Sequence, residues 1–290
     1  MNILVTGANG QLGTELRNLA PLYADCNIVF TDVAELDITD AVAVEAAVEE
    51  NAVDLIINCA AYTAVDKAET DVERARVLNA EAPALLARAV AGRGGEIIHV
   101  STDYVFGGQA CTPYTEDMPT APCSVYGRTK LDGEKGVIAA NSRHVIVRTS
   151  WLYSPYGNNF VKTMLRLGRE RDRLNVVFDQ VGSPTYAADL AKALLIIATA
   201  ADKTYGVFHY SNEGVISWYD FTKAIHRLAG ITSCDVQPIL SSQYPTPAAR
   251  PAYSVFSKEK IKQTYGMSVP YWEDSLRLCL QRLNAFAEGS

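Results

Sequence analysis

Tyr126 and Lys130 stand four residues apart in the run Tyr126-Gly127-Arg128-Thr129-Lys130. On a helix, residues at that spacing share one face. An isolated phenol titrates near ~10, too high to exchange protons easily at neutral pH. A cation ~4 Å away at an effective dielectric of ~20 favours the phenolate by about 4 kcal/mol, or roughly 3 pKa units. The pair therefore reads as an acid–base device in which Tyr126 moves the proton and Lys130 tunes it. Ser101-Thr102-Asp103-Tyr104 follows the apolar run 97–100. In an open α/β sheet, ligands bind at the carboxyl ends of strands. A hydroxyl there can hydrogen-bond the carbonyl oxygen that Tyr126 protonates, and Thr102 is expected in that role ahead of Ser101. Asp103 has a competing reading as an Asx turn or helix cap.

A second constellation opens the chain. In Thr6-Gly7-Ala8-Asn9-Gly10-Gln11-Leu12-Gly13 the glycines are spaced three and three. Gly7 permits a tight turn, Gly10 lets backbone approach a pyrophosphate, and Gly13 lets the next helix pack closely on a sheet. The helix N-terminus offers unpaired N–H groups and a positive dipole end to phosphates. This is the longer Gly-x-x-Gly-x-x-Gly variant of the dinucleotide turn. Asp32 lies 19 residues beyond Gly13, where a carboxylate can accept from an adenosine ribose or simply cap an exposed turn. An acid there favours NADH over NADPH, and no Arg stands beside it to receive a 2′-phosphate. Asp37 begins a later turn and is as much a helix-entry residue as an adenine contact. With a dinucleotide present, Lys130 gains a second role, holding the cofactor ribose.

Positioning these groups requires a sheet. Apolar runs at 3–6, 28–30, 54–58, 96–100 and 145–147 read as strands, and 11–20, 41–50, 75–91 and 124–140 read as helices. That alternation predicts an α/β fold, a doubly wound parallel sheet of Rossmann type, over residues 1–150. After Trp151 the rhythm breaks into Pro-, Gly- and Asn-rich loops with helices near 160–171, 187–200, 218–228 and 272–283. Residues 151–290 are expected to form a smaller, mostly helical substrate lobe. It is partly interleaved with the first domain, because a strand at 205–209 returns to the main sheet. At 290 residues with 48% hydrophobic and 20% charged content, the chain can bury a sizeable core. A net charge of -7 argues against nucleic acid as a partner. The six cysteines include no Cys-x-x-Cys pair, so neither zinc nor a disulfide framework is expected. With neither an apolar run of membrane-spanning length nor a leader pattern, a cytoplasmic protein without membrane contact is expected.

These residues also carry a resemblance. The glycine turn, Asn58-Cys59-Ala60-Ala61, Ser101-Thr102-Asp103-Tyr104-Val105-Phe106 and Tyr126-x-x-x-Lys130 resemble the extended short-chain dehydrogenases/reductases. Ala64-Val65-Asp66-Lys67-Ala68-Glu69, Arg148-Thr149-Ser150-Trp151-Leu152-Tyr153, Gly157-Asn158-Asn159-Phe160 and the run 244–251 narrow it to the dTDP-4-dehydrorhamnose reductase family, in order along the chain to about residue 285. The resemblance implies hydride transfer from NADPH or NADH to the C4 ketone of dTDP-4-dehydro-L-rhamnose, with Tyr126 giving the proton. By position it places Gly10, Gln11 and Leu12 at the cofactor diphosphate, Asp32, Asp37 and Ile38 along its adenosine, and Ala61, Tyr62 and Thr63 along its middle. Thr102, Asp103, Trp151, Val65 and Tyr104 would face the sugar nucleotide. Asn159 and Arg250 are added as candidate diphosphate or sugar contacts, Arg for its bidentate fork.

Some members of the family hold magnesium at a dimer contact through three glutamates. Glu15 matches the first, but Ala188 stands at the second, so no metal is expected and the homodimer is left open. Dehydratases of the superfamily carry a glutamate where this chain has Tyr104, which favours net reduction over water elimination. Two alternatives stay open: a reductase giving the other C4 epimer, and a catalytically silent homologue acting as a regulatory subunit.

Overall fold

The computed structural model describes residues 1–285. Residues 286–290 of the expected 151–290 lobe lie outside the described residues. Six parallel strands form the central sheet: β1 (Asn2–Thr6), β2 (Asn27–Thr31), β3 (Leu55–Asn58), β4 (Glu96–Thr102), β5 (His144–Thr149) and β6 (Gly206–His209), in the order β6-β5-β4-β3-β1-β2. The inner strands are nearly continuous apolar runs because helices cover both faces. Ile3, Val5, Leu55 and Ile57 face one core, closed by Leu190, Leu194 and Ile197 of the helix Ala187–Thr199. Leu4, Ile56, Ile97 and Ile146 point the other way, onto Val44, Leu86 and Val137 of the helices Ala41–Glu50, Ala82–Gly92 and Val125–Ala140. Successive positions along each strand thus go to opposite faces, the period-two rule of a pleated strand.

The chain leaves β1 for β2 on one side and returns to β3 on the other. That reversal splays the two connections apart and opens a crevice at the carboxyl ends of the strands. Register then fixes which side chains become neighbours. Thr6 pairs with Asn58 across β1 and β3, Asn58 with His99 across β3 and β4, and Thr102 with Thr149 across β4 and β5.

Two departures from the sequence reading have local causes. The helix expected over 75–91 is instead Val72–Arg76, a wide turn Val77–Glu81 and Ala82–Gly92. Pro83 has no N–H to give the Asn79 carbonyl, and the backbone opens into a π turn to pass it. The helix Ala187–Thr199 lies on the main sheet against the helix Gln11–Leu19, because its apolar residues encircle it. A separate core of Tyr153, Val161, Met164, Phe221, Ile225, Trp272 and Leu276 gathers the remaining later helices.

Candidate active site

A cleft of about 1330 Å³ runs from the glycine turn to Tyr126. At one end, Gly7 (φ +68°) carries the chain out of β1, and a Cβ on Gly13 would lie 2.4 Å from the Gly7 carbonyl oxygen. Only glycine allows the helix to start so close to the strand. Gly10 caps the helix Gln11–Leu19 without a side-chain acceptor, and its first turn carries no acid. Its leading N–H groups therefore face the cleft with the dipole's positive end, which suits the diphosphate of a dinucleotide. Gly7, Gly10, Gln11, Leu12, Gly13, Asp32, Asp37, Ile38, Ala61 and Thr63 all line this cleft. Asp32 is already engaged: its Oδ2 accepts from the Asn9 backbone N–H at 2.8 Å and its Oδ1 from Val33 N–H at 2.8 Å. It holds the glycine turn in place while keeping lone pairs for a ribose. Asp37 accepts from the Thr39 backbone and hydroxyl, which lowers its carboxyl below the usual range.

Tyr62 does not line the cleft. Its N–H donates to Asn79 Oδ1 at 2.8 Å, its carbonyl accepts from Asn79 Nδ2 at 3.1 Å, and its phenol donates to Asp71 at 3.1 Å. Asn79 also donates to the Thr129 hydroxyl at 3.2 Å, so it ties the 61–63 segment to the helix that carries Tyr126 and Lys130. Sequence reasoning passed over Asn79. Its one signal was Pro83 four residues on, which forbids an ordinary helix there.

At the other end, Ser124 caps the helix Val125–Ala140 through Gly127 N–H, and the helix lays Tyr126 and Lys130 against the end of β4. Thr102, Asp103, Tyr104, Tyr126 and Lys130 converge on the cleft. The Tyr104 and Tyr126 rings meet edge to face at 5.4 Å. The Lys130 pull expected on Tyr126 does not govern the phenol. Burial pushes it up to about 12, the Thr102 hydroxyl pulls the other way, and the Asp103 charge opposes ionisation further. Lys130 is turned to the sheet instead, where its Nζ donates to the Val100 carbonyl at 2.7 Å. Burial lowers its own value to about 8, against the raising effect of Glu134 and Cys59. Asp103 is buried with Oδ2 unpartnered, and burial raises its carboxyl to about 6. A dry acid end of this kind favours groups that hold protons and release them to a forming alkoxide.

Val65, Trp151 and Asn159 also border the cleft. Trp151 has a left-handed backbone (φ +48°), a conformation that costs a bulky residue about 1–3 kcal/mol. Its ring stacks on Trp218 at 3.6 Å, an interaction no spacing in the sequence announced. Asn159 caps the helix Phe160–Glu170 and donates to Gln11 Oε1 at 2.9 Å, so it joins the later lobe to the glycine turn. Arg250 stands outside the cleft wall in a bidentate pair with Asp66 (2.8 and 3.0 Å), next to Val65. Glu15 is buried and accepts from Arg282 at 2.8 and 3.0 Å. Among the described residues no group of three or more His, Cys, Asp or Glu is placed to hold a metal.

The sheet order, the uncapped helix at a glycine turn and the Thr/Tyr/Lys convergence define the architecture of the extended short-chain dehydrogenases/reductases. The chain matches the family described as RmlD substrate binding domain over residues 1–285. A dTDP-4-dehydrorhamnose reductase of Sinorhizobium fredii is 43% identical over 285 residues, 96% of each chain. A probable dTDP-4,6-dihydroxy-2-methyloxan-3-one 4-ketoreductase of Streptomyces antibioticus is 43% identical over 279 residues, 96% of this chain and 94% of that one. The crystal structure of a dTDP-4-dehydrorhamnose reductase from Bacillus anthracis in complex with NADP is 41% identical, with a TM-score of 0.91 over 97% of this chain and 99% of that one. The chain belongs to the dTDP-4-dehydrorhamnose reductase family.

Proposed function

We propose that this protein reduces the C4 ketone of dTDP-4-dehydro-L-rhamnose with NADPH or NADH to give dTDP-L-rhamnose. The observation that carries the reading is the convergence of Thr102, Tyr126 and Lys130 on the cleft that begins at the glycine turn. The nicotinamide, when bound, supplies the hydride. Every other part of the reaction falls to the chain. The N–H groups that open the helix Gln11–Leu19 seat the diphosphate. Thr102 donates to the ketone oxygen and orients it. Tyr126 gives that oxygen its proton as the alkoxide forms, and Lys130 holds the ribose and restores the proton. Trp151, Asp103, Tyr104 and Val65 border the sugar nucleotide.

In this reading residues 1–150 hold the cofactor and residues 151–290 supply much of the sugar side. No helix among the described residues is long and apolar enough to cross a membrane, and all six cysteines are unpaired. The reading takes the protein as a cytoplasmic enzyme with a small-molecule dTDP-sugar as its partner.

The test is NADPH and NADH oxidation on addition of dTDP-4-dehydro-L-rhamnose, with NMR of the product sugar. Oxidation with the L-rhamno product supports the reading, and no oxidation with either nucleotide overturns it. The name of the Streptomyces relative favours one second reading, a 4-ketoreductase for another dTDP-sugar. The same assay gives oxidation with the C4 epimer, or with a different ketosugar only, if that reading holds.

A further inference from the structure

The ion pair that keeps Arg250 outside the cleft wall joins two distant parts of the chain at the end that the proposed reading gives to the sugar nucleotide. Residues 245–256 back that end, from the helix Val65–Ala68 to the Trp151 side. Their second half is pinned by backbone. Val181 N–H donates to the Ala252 carbonyl and Ser254 N–H to the Val181 carbonyl, both at 2.8 Å, and Tyr114 N–H to the Val255 carbonyl at 2.9 Å. Ser254 is buried, and it shares with the Trp151 ring the space that Gly182 leaves: a Cβ on that glycine would meet the Ser254 hydroxyl at 2.7 Å and the indole at 2.8 Å. The first half has no such ladder, and Pro245 and Pro247 have no N–H to give. Among the described residues, every hydrogen bond that ties 245–250 to the rest of the molecule ends on Asp66. Its Oδ1 accepts from the Ala248 backbone N–H at 3.2 Å and from Arg250 at 3.0 Å, and its Oδ2 from Arg250 at 2.8 Å.

Asp66 follows Val65, and both charges of the pair act on the Tyr104 phenol; Val65 and Tyr104 line the cleft. The guanidinium fork that suits a diphosphate is spent on Asp66. We propose that Asp66 and Arg250 are positioning residues for the sugar nucleotide: their pair is a clasp that ties 245–256 to the helix Val65–Ala68 and so holds Val65, Tyr104 and Trp151 around the sugar. The pair is partly exposed, with 25% of the Arg250 and 42% of the Asp66 side chain open to solvent. Such pairs add little to overall stability, so losing this one is felt at the site more than in the fold. The proposal rests on the reading of this end as the sugar site, and it gives Arg250 an indirect role in place of the diphosphate or sugar contact expected from its type.

Two single variants separate a clasp from a direct contact. If Arg250 met the diphosphate itself, Arg250→Gln would weaken the sugar nucleotide, whereas Asp66→Ala would free the arginine and tighten it. For a clasp the two act alike: each should raise KM for dTDP-4-dehydro-L-rhamnose about fivefold, the most that a partly exposed pair supplies, with the NADPH Kd unchanged. The double variant should cost no more than either single one, because each breaks the same clasp. Movement of KM in opposite directions, additive losses, or a lower Tm with KM unmoved overturns the proposal. A second arm needs no substrate. Hydrogen exchange of the whole protein should show the Ala248 amide protected in the parent and released in Asp66→Ala. An Ala248 amide that is open in the parent, or equally protected in the variant, overturns the clasp whether or not the reductase assay succeeds.

Discussion

Around the glycine turn the cleft wall is backbone: uncapped N–H groups, glycines too close for a Cβ, and one carboxylate tied to the loop it braces. Around Tyr126 the wall is side chain, buried and bonded inward to the sheet. The first end is built to receive charge from a ligand, the second to keep charge out until a reaction creates it. Desolvation, which would spoil phosphate binding at the first end, is what gives the second its proton-holding acids.

The comparison can be broken most sharply at Tyr126. Tyr126→Phe should cut kcat by about 10²–10⁴-fold, with the cofactor Kd held within a few-fold; calorimetric titration beside the oxidation assay checks it. Equal loss of both would mean that the two ends are not separable. Asp103→Asn probes how dry the second end is. The carboxyl rises from 3.8 to about 6 on folding. Between those values the folded protein keeps a proton that the unfolded chain has released, so stability falls as pH rises through that window. The loss reaches about 3 kcal/mol above it. Urea unfolding at pH 4 and pH 7 should show this slope in the parent and its loss in the variant. Asp32→Ala tests the receiving end and should weaken NADH by about tenfold and NADPH by less. An unchanged ratio of the two dissociation constants would leave Asp32 as a brace for Asn9 alone. The smallest effect expected is none: chelator should change neither activity nor oligomeric state, which sedimentation with and without it will check.

The receiving end was legible in the sequence because its logic is local. Three glycines, a preceding apolar run and a following amphipathic stretch lie within the first twenty residues, and the helix forms where they place it. The proton-holding end was legible only in part. Tyr126, Lys130 and Thr102 were readable as types, and they do converge. What Lys130 touches was not, because the His99 ring and the Val100 carbonyl reach it from a strand 31 and 30 residues earlier in the chain. The same holds for Arg250, whose bond to Asp66 spans 184 residues, and for Trp218 behind Trp151. Tyr62 was assigned by position alone, while its backbone is held by Asn79 on a turn that a proline forced open.

The stacked indoles give the molecule an optical gauge of its own. One ring hangs from the segment after β5 and the other begins the helix Trp218–Leu228, which packs in the second core. Two such chromophores in van der Waals contact couple their transitions, and only one other tryptophan adds background. Any sliding of the later helices against the sheet must change that coupling, so near-ultraviolet dichroism can follow sugar-nucleotide entry without a label.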